Sequence, residues 1–164
     1  MKELLLIRHA KSSWSDISLN DAERPLNDRG RRNATEMAGR LSERNIAINA
    51  YLSSPAVRTV STAELFISKL GGEIIIVPEL YLADKAAFLQ CIINAPAVAR
   101  TIAVFSHNSG ITSFVNSLTT VKVEVMPTCG IFAVKCNIAR WADFEPDHSK
   151  IEFDFFDYPK SGKE

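Results

Sequence analysis

Short apolar runs alternate with stretches of helical spacing along most of the chain, the pattern of an α/β protein whose crossover helices return successive strands to one sheet. The first run, Leu4 to Ile7, ends abruptly at Arg8 and His9, and a polar stretch through Asp28 follows. Helical spacing then brings Ala34, Met37, Ala38 and Leu41 to one face, behind Asn27 or Asp28 as N-cap. Asn49 to Ser53 reads as a second strand. Ser54 and Pro55 predict the start of a second helix, because the hydroxyl caps free amides and proline fits the first helical position. Its apolar face is Ala56, Val60, Ala63, Phe66, Ile67 and Leu70, and Gly71 with Gly72 stops it. Beyond it the chain predicts a strand at Ile74 to Val77, a helix at Ala86 to Ile93, a strand at Thr101 to Phe105 and a helix at Ile111 to Leu118. Late strands follow at Gly130 to Lys135 and Ile151 to Phe155. No repeat or linker interrupts the pattern, which predicts one domain over residues 1–158 and a polar tail, 159–164.

Composition narrows the functional classes. The 164 residues are 46% hydrophobic and 23% charged, which places the chain among globular proteins able to bury one sizeable core. Nineteen Lys plus Arg balance nineteen Asp plus Glu, so no global field draws the molecule to nucleic acid or to an acidic membrane surface. No run approaches the ~18 apolar residues of a membrane span. Three cysteines, Cys91, Cys129 and Cys136, lack CxxC spacing and nearby histidines. They argue against a disulfide framework and a zinc site, read as core residues, and fit a reducing, cytoplasmic setting with no metal or cofactor.

Candidate chemistry gathers at strand ends. Arg8 and His9 follow the first strand, Arg58 lies in the first turn after the second, and His107 follows the fourth. In open α/β sheets ligands bind at the carboxyl ends of strands, so right-handed crossovers would bring these residues to one pocket. Two guanidiniums offer planar forks of donors that match phosphoryl oxygens, and the start of the second helix adds its positive dipole end. Neighbouring positive charge depresses the pKa of a histidine placed among them, and a neutral imidazole is a competent nucleophile toward phosphorus. One histidine would attack and the other donate to the oxygens, with the arginines holding the charge that magnesium holds elsewhere. An Arg-His pair alone would mean little, since both residues are common at strand ends as solvated groups. Lys11, Arg24, Arg29, Arg31 and Arg32 read as a solvated surface more than as a positive rim, and Trp14 as a loop anchor more than a stacking platform.

The residues resemble the histidine phosphatase superfamily, and within it the SixA-like phosphohistidine phosphatases. The stretch Leu6-Ile7-Arg8-His9-Ala10-Lys11-Ser12-Ser13-Trp14 is similar to the family's first signature, and Arg24-Pro25-Leu26-Asn27-Asp28-Arg29-Gly30 to the next block of the SixA-like branch. Ser53 to Thr59 resembles the second-arginine block and Ser106 to Ile111 the second-histidine block, while Met126 to Gly130 is similar to a later segment. The resemblance implies a phosphoglycerate mutase-like fold, a three-layer α/β sandwich with a mixed, mostly parallel sheet flanked by helices. It implies that His9 is the phosphorylated nucleophile, that Arg8 and Arg58 hold the phosphoryl group, and that His107 supports it. Ser15 stands where larger relatives place an asparagine that touches phosphate.

The chain departs from the pattern at the proton donor. Larger members acting on sugar phosphates carry an acid after the third strand, and here Leu82 takes its place, with Glu79 and Asp84 the nearby carboxylates. A phosphoramidate bond to imidazole breaks without a dedicated acid, so phosphohistidine in a protein is the expected substrate. A small phosphate monoester is the alternative, and a phosphoprotein-binding module without chemistry is a third reading. The connections from Ala10 to Asp28 and from Pro78 to Arg100 leave little chain for a lid, which favours an open pocket.

Overall fold

The computed structural model describes residues 1–160. Strands β1 (Lys2–Arg8), β2 (Ala50–Ser53), β3 (Ile74–Ile76), β4 (Thr101–Ser106), β5 (Ile131–Cys136) and β6 (Ile151–Asp157) form one sheet in the order β3-β2-β4-β1-β5-β6. The pairs β2–β3, β2–β4 and β1–β4 are parallel, whereas β5 runs antiparallel to β1 and to β6. This is a mixed, mostly parallel sheet with helices on both faces, as the alternation of apolar runs requires.

Alternate strand residues serve opposite faces. Leu5, Ile7, Tyr51, Ala103 and Phe105 pack with Met37, Ala38 and Leu41 of helix α1 (Asp28–Glu43) and with Ala63 and Phe66 of helix α2 (Val57–Leu70). Leu4, Leu6, Leu52, Ile102 and Val104 pack with Phe88 and Ile92 of helix α3 (Lys85–Ile93) and with Ile111 and Phe114 of helix α4 (Gly110–Val115). Every residue of β4 is buried, the signature of a central strand covered on both sides. Trp141 lies in a short 3-10 turn on the α3 side, where its indole N–H donates to the Ala99 carbonyl at 2.8 Å.

Two close approaches fix loops beside the strand ends. A Cβ at Gly30 would stand 2.1 Å from the Lys11 carbonyl oxygen, so glycine lets α1 begin against the segment leaving β1. A Cβ at Gly110 would stand 1.8 Å from the Ala83 oxygen, so glycine lets α4 start against the chain entering α3.

The helix expected from Pro55 begins at Val57, with Ala56 as a cap lacking any side-chain bond. Its buried stripe runs through Arg58, Thr59, Thr62, Ala63 and Phe66, whereas Val60, Ile67 and Leu70 of the expected apolar face are only half-buried; the Thr62 hydroxyl on the buried side accepts the Ala10 amide just beyond β1. Pro159, assigned from the sequence to a polar tail, is buried, and 161–164 lie outside the described residues. No helix among the described residues is long and apolar enough to cross a membrane.

Candidate active site

Parallel pairing delivers the site. Arg8 stands opposite Ser106 in the β1–β4 register, and the His9 amide continues the ladder by donating to the Ser106 carbonyl, so His9 and His107 leave the sheet side by side. Their ring centroids are 5.2 Å apart. On the other flank of β4, the Ser54 amide donates to the Phe105 carbonyl, which carries the chain from β2 into α2 and sets Arg58 in that helix's first turn.

Arg58 is buried and binds both imidazoles. Its Nε–H donates to His9 Nε2 at 3.3 Å, and Nη2 lies 3.3 Å from His107 Nδ1. His9 Nδ1 is 2.7 Å from the Ala10 carbonyl, which takes only a donor, so the proton sits on Nδ1 and the lone pair on Nε2. His107 has the reverse tautomer: Nε2–H points at Ser54 Oγ, 2.8 Å away, with Thr59 Oγ1 at 3.4 Å, leaving its Nδ1 as acceptor. Thr62 braces the arrangement, since its hydroxyl donates to the Arg58 carbonyl at 2.7 Å and accepts the Ala10 amide at 3.0 Å.

Both imidazoles are neutral at ordinary pH. Burial above all pushes the pKa of His9 down to about 4; Arg58, Arg8 and Arg24 add to this, and the Ala10 carbonyl opposes it. Burial likewise takes His107 to about 3, followed by His9 and Arg58. The sequence attributes the depression to arginines alone; desolvation outweighs them because both rings lie beneath the surface. Arg8 Nη1 donates to the Met126 carbonyl at 2.9 Å, but its buried Nε–H finds no acceptor among the described residues. An unmet buried donor beside two neutral imidazoles is a ready place for an anion's oxygen.

The other sequence candidates are placed elsewhere. Ser15 is exposed, with its hydroxyl 2.8 Å from that of Ser13, and among the described residues no hydrogen bond joins it to the cluster. Glu79 is exposed, and Asp84 caps α3 by accepting the Ala87 amide at 2.9 Å; neither is bonded to the cluster among the described residues. The carboxylate that does reach it is Asp21, in a 3-10 turn (Asp21–Glu23) within the polar stretch after β1. Its Oδ2 accepts from Arg58 Nη2 at 2.9 Å and from the Tyr81 hydroxyl, and its carbonyl accepts from Arg58 Nη1 at 2.6 Å. Arg24 is buried rather than solvated. It donates to Asp21 Oδ1, to Ser12 Oγ and to the Ser13 carbonyl, and its guanidinium lies 3.4 Å from the Trp14 ring centroid.

Residues 4–81 match the histidine phosphatase superfamily, branch 1. An uncharacterised chloroplastic protein of Arabidopsis thaliana is 34% identical over 121 residues, 66% of this chain and 55% of that protein, so the chain spans little more than half its length. Among solved structures, the Agrobacterium tumefaciens protein assigned as the phosphohistidine phosphatase SixA has a TM-score of 0.80 at 22% identity, over 97% of this chain and 99% of that one. The mycobacterial glucosyl-3-phosphoglycerate phosphatase has a TM-score of 0.69 at 14% identity, over 97% and 100%. Likeness at these identities establishes the fold alone.

Proposed function

The chain belongs to the histidine phosphatase superfamily, and from that premise we propose that it is a metal-independent phosphatase that hydrolyses phosphohistidine in proteins through a phosphorylated His9. The observation that carries the reading is the lone pair of a neutral His9 Nε2 directed at the Arg58 guanidinium, where a phosphoryl group would be held.

The steps follow from the donors present. Phosphoryl oxygens take the free Nε–H of Arg8 and replace Asp21 on the terminal nitrogens of Arg58. His9 Nε2 gives up the hydrogen bond it accepts from Arg58 Nε–H and attacks phosphorus, a new P–N bond forms, and the bond to the leaving group breaks with its electron pair. The arriving dianion raises the pKa of His107, which takes a proton from water on Nδ1 as Arg58 Nη2 turns to the phosphoryl group, and donates that N–H to a phosphoryl oxygen. Water attacks phospho-His9 in the second step, releasing phosphate and restoring the imidazole. The fixed guanidiniums supply the electrostatic stabilisation that a metal ion would otherwise bring.

The substrate class rests on the leaving group. Departure of an alkoxide requires a protonated acid, and the carboxylate in reach, Asp21, is held ionised by its partners. A phosphoramidate nitrogen in an imidazole ring departs without one, and the partner is then a phosphorylated protein. Three free, buried thiols suit a reducing compartment such as the cytoplasm. The second reading, a phosphatase for a small phosphate monoester, is favoured by the likeness to the glucosyl-3-phosphoglycerate phosphatase.

Turnover of a phosphohistidine peptide and of a panel of sugar phosphates tests the reading. Preference for the peptide is expected, with His9→Ala inactive on both. Preference for the sugars reverses the substrate order, and full turnover by His9→Ala refutes the mechanism. Tight binding of a phosphorylated partner without phosphate release would select a recognition module.

A further inference from the structure

We infer that Asp21 is a specificity-determining residue that accepts the N–H of the distal ring nitrogen of a bound phosphohistidine, an inference that rests on the phosphohistidine reading.

Placement comes first. The Asp21 side chain is 44% exposed, while His9 and His107 are 7% and 2% exposed, so the carboxylate sits on the solvent side of the guanidinium that all three share. In-line attack by His9 Nε2 puts the leaving group on the far side of phosphorus, toward the mouth where Asp21 stands.

Tethering comes second. When phosphoryl oxygens take over Arg58, Asp21 Oδ1 still accepts from Arg24 Nε at 3.3 Å and Nη2 at 3.2 Å, and Oδ2 still accepts from the Tyr81 hydroxyl. The departure of Arg58 therefore frees acceptor capacity on Oδ2 without releasing the side chain. Arg24 is fixed by Ser12, Ser13 and Trp14, and the edge of the Tyr81 ring meets His107 with centroids 5.3 Å apart.

Chemistry comes third. A phosphorylated imidazole protonated on its distal nitrogen leaves as neutral imidazole. Without that proton it must leave as imidazolate, a far poorer leaving group. In the step, His9 Nε2 bonds to phosphorus, the substrate P–N bond gives its electrons to the departing nitrogen, and the distal proton stays on the ring facing Asp21. An ionised carboxylate favours the protonated ring through a charge-assisted hydrogen bond. The Tyr81 hydroxyl first, then Arg58 and Arg24, hold Asp21 below the usual carboxylate range, which suits an acceptor and not an acid for alkoxides.

The test compares wild type, Asp21→Asn and Tyr81→Phe on a phosphohistidine peptide and on p-nitrophenyl phosphate, whose leaving group departs unprotonated and offers no N–H. The ratio of kcat/KM on the peptide to kcat/KM on the ester should fall at least tenfold in Asp21→Asn and a few-fold in Tyr81→Phe. The second variant keeps the carboxylate and reads out the same ratio should the first fail to fold. Equal losses on both substrates would make Asp21 a brace for Arg58 and overturn the inference, with the phosphohistidine reading intact. Wild-type turnover confined to esters would end that reading, and the inference with it.

Discussion

Mild acid should destabilise the folded protein through its two buried imidazoles. His9 and His107 titrate at about 4 and about 3 in the fold, against an ordinary value of 6.5. Because the folded values are depressed, the unfolded chain binds more protons between them and 6.5, so stability is highest above 6.5 and is lost as pH falls. At about pH 5 the unfolded rings are almost fully protonated and the folded rings almost fully neutral, a difference of roughly 2 kcal/mol per imidazole and roughly 4 kcal/mol for the pair. Against a total stability of about 5–15 kcal/mol this is large. Urea unfolding at about pH 7.5 and about pH 5 reads it directly: with a slope of about 2 kcal/mol per molar, the midpoint should drop by roughly 2 M. His107→Asn loses its bond to Ser54 and is less stable throughout, so the quantity to compare is the change with pH, which should shrink to about half. A midpoint equal at both pH values, or an undiminished change in the variant, would refute the reasoning that burial keeps these rings neutral.

Arg58→Lys keeps the charge but loses the fork that serves His9, His107 and Asp21 together, so kcat/KM on p-nitrophenyl phosphate should fall by about 100- to 1,000-fold; a loss under about tenfold contradicts the shared-fork geometry. Gly110→Ala drives a methyl to 1.8 Å from the Ala83 oxygen, so about 1–3 kcal/mol of stability should be lost and turnover should fall with the displaced His107 segment, as thermal melts and initial rates will show. An unchanged melting temperature would mean that the backbone gives way freely there.

The parts legible in the sequence are those a single periodicity or a single position determines. Leu4 to Ile7 and Thr101 to Phe105 are unbroken apolar runs because β1 and β4 are covered on both faces, and they came out as strands. His9 and His107 are legible because a residue just past a parallel strand has little choice of edge, and Arg8 and Arg58 because one ends such a strand and the other lies in the first turn of the helix that follows one. What stayed hidden depends on which of two partners a side chain chooses. The Ser54 hydroxyl accepts the Ala56 amide, as a capping residue would, and also meets His107, which the sequence does not foretell. Thr59 and Thr62 look like polar interruptions of a helix face, yet they are buried under the imidazoles and the β1 end. Asp21 lies in a stretch without periodicity, and only the tertiary approach of Arg58, Arg24 and Tyr81 distinguishes it from the exposed Glu79 and Asp84.

One guanidinium sets both rings. Arg58 faces an acceptor nitrogen on each histidine, and each ring's remaining nitrogen is committed to a fixed partner, the Ala10 carbonyl for His9 and Ser54 for His107. The tautomers are therefore chosen before any substrate arrives, and the attacking nitrogen has only to exchange its hydrogen bond from Arg58 for the bond to phosphorus. The burial that makes this possible also withholds the rings from protons, which is why the fold should weaken in acid. Nucleophile readiness and acid sensitivity are two faces of one desolvation, and a substitution that opens the site to water should relieve the second only by surrendering part of the first.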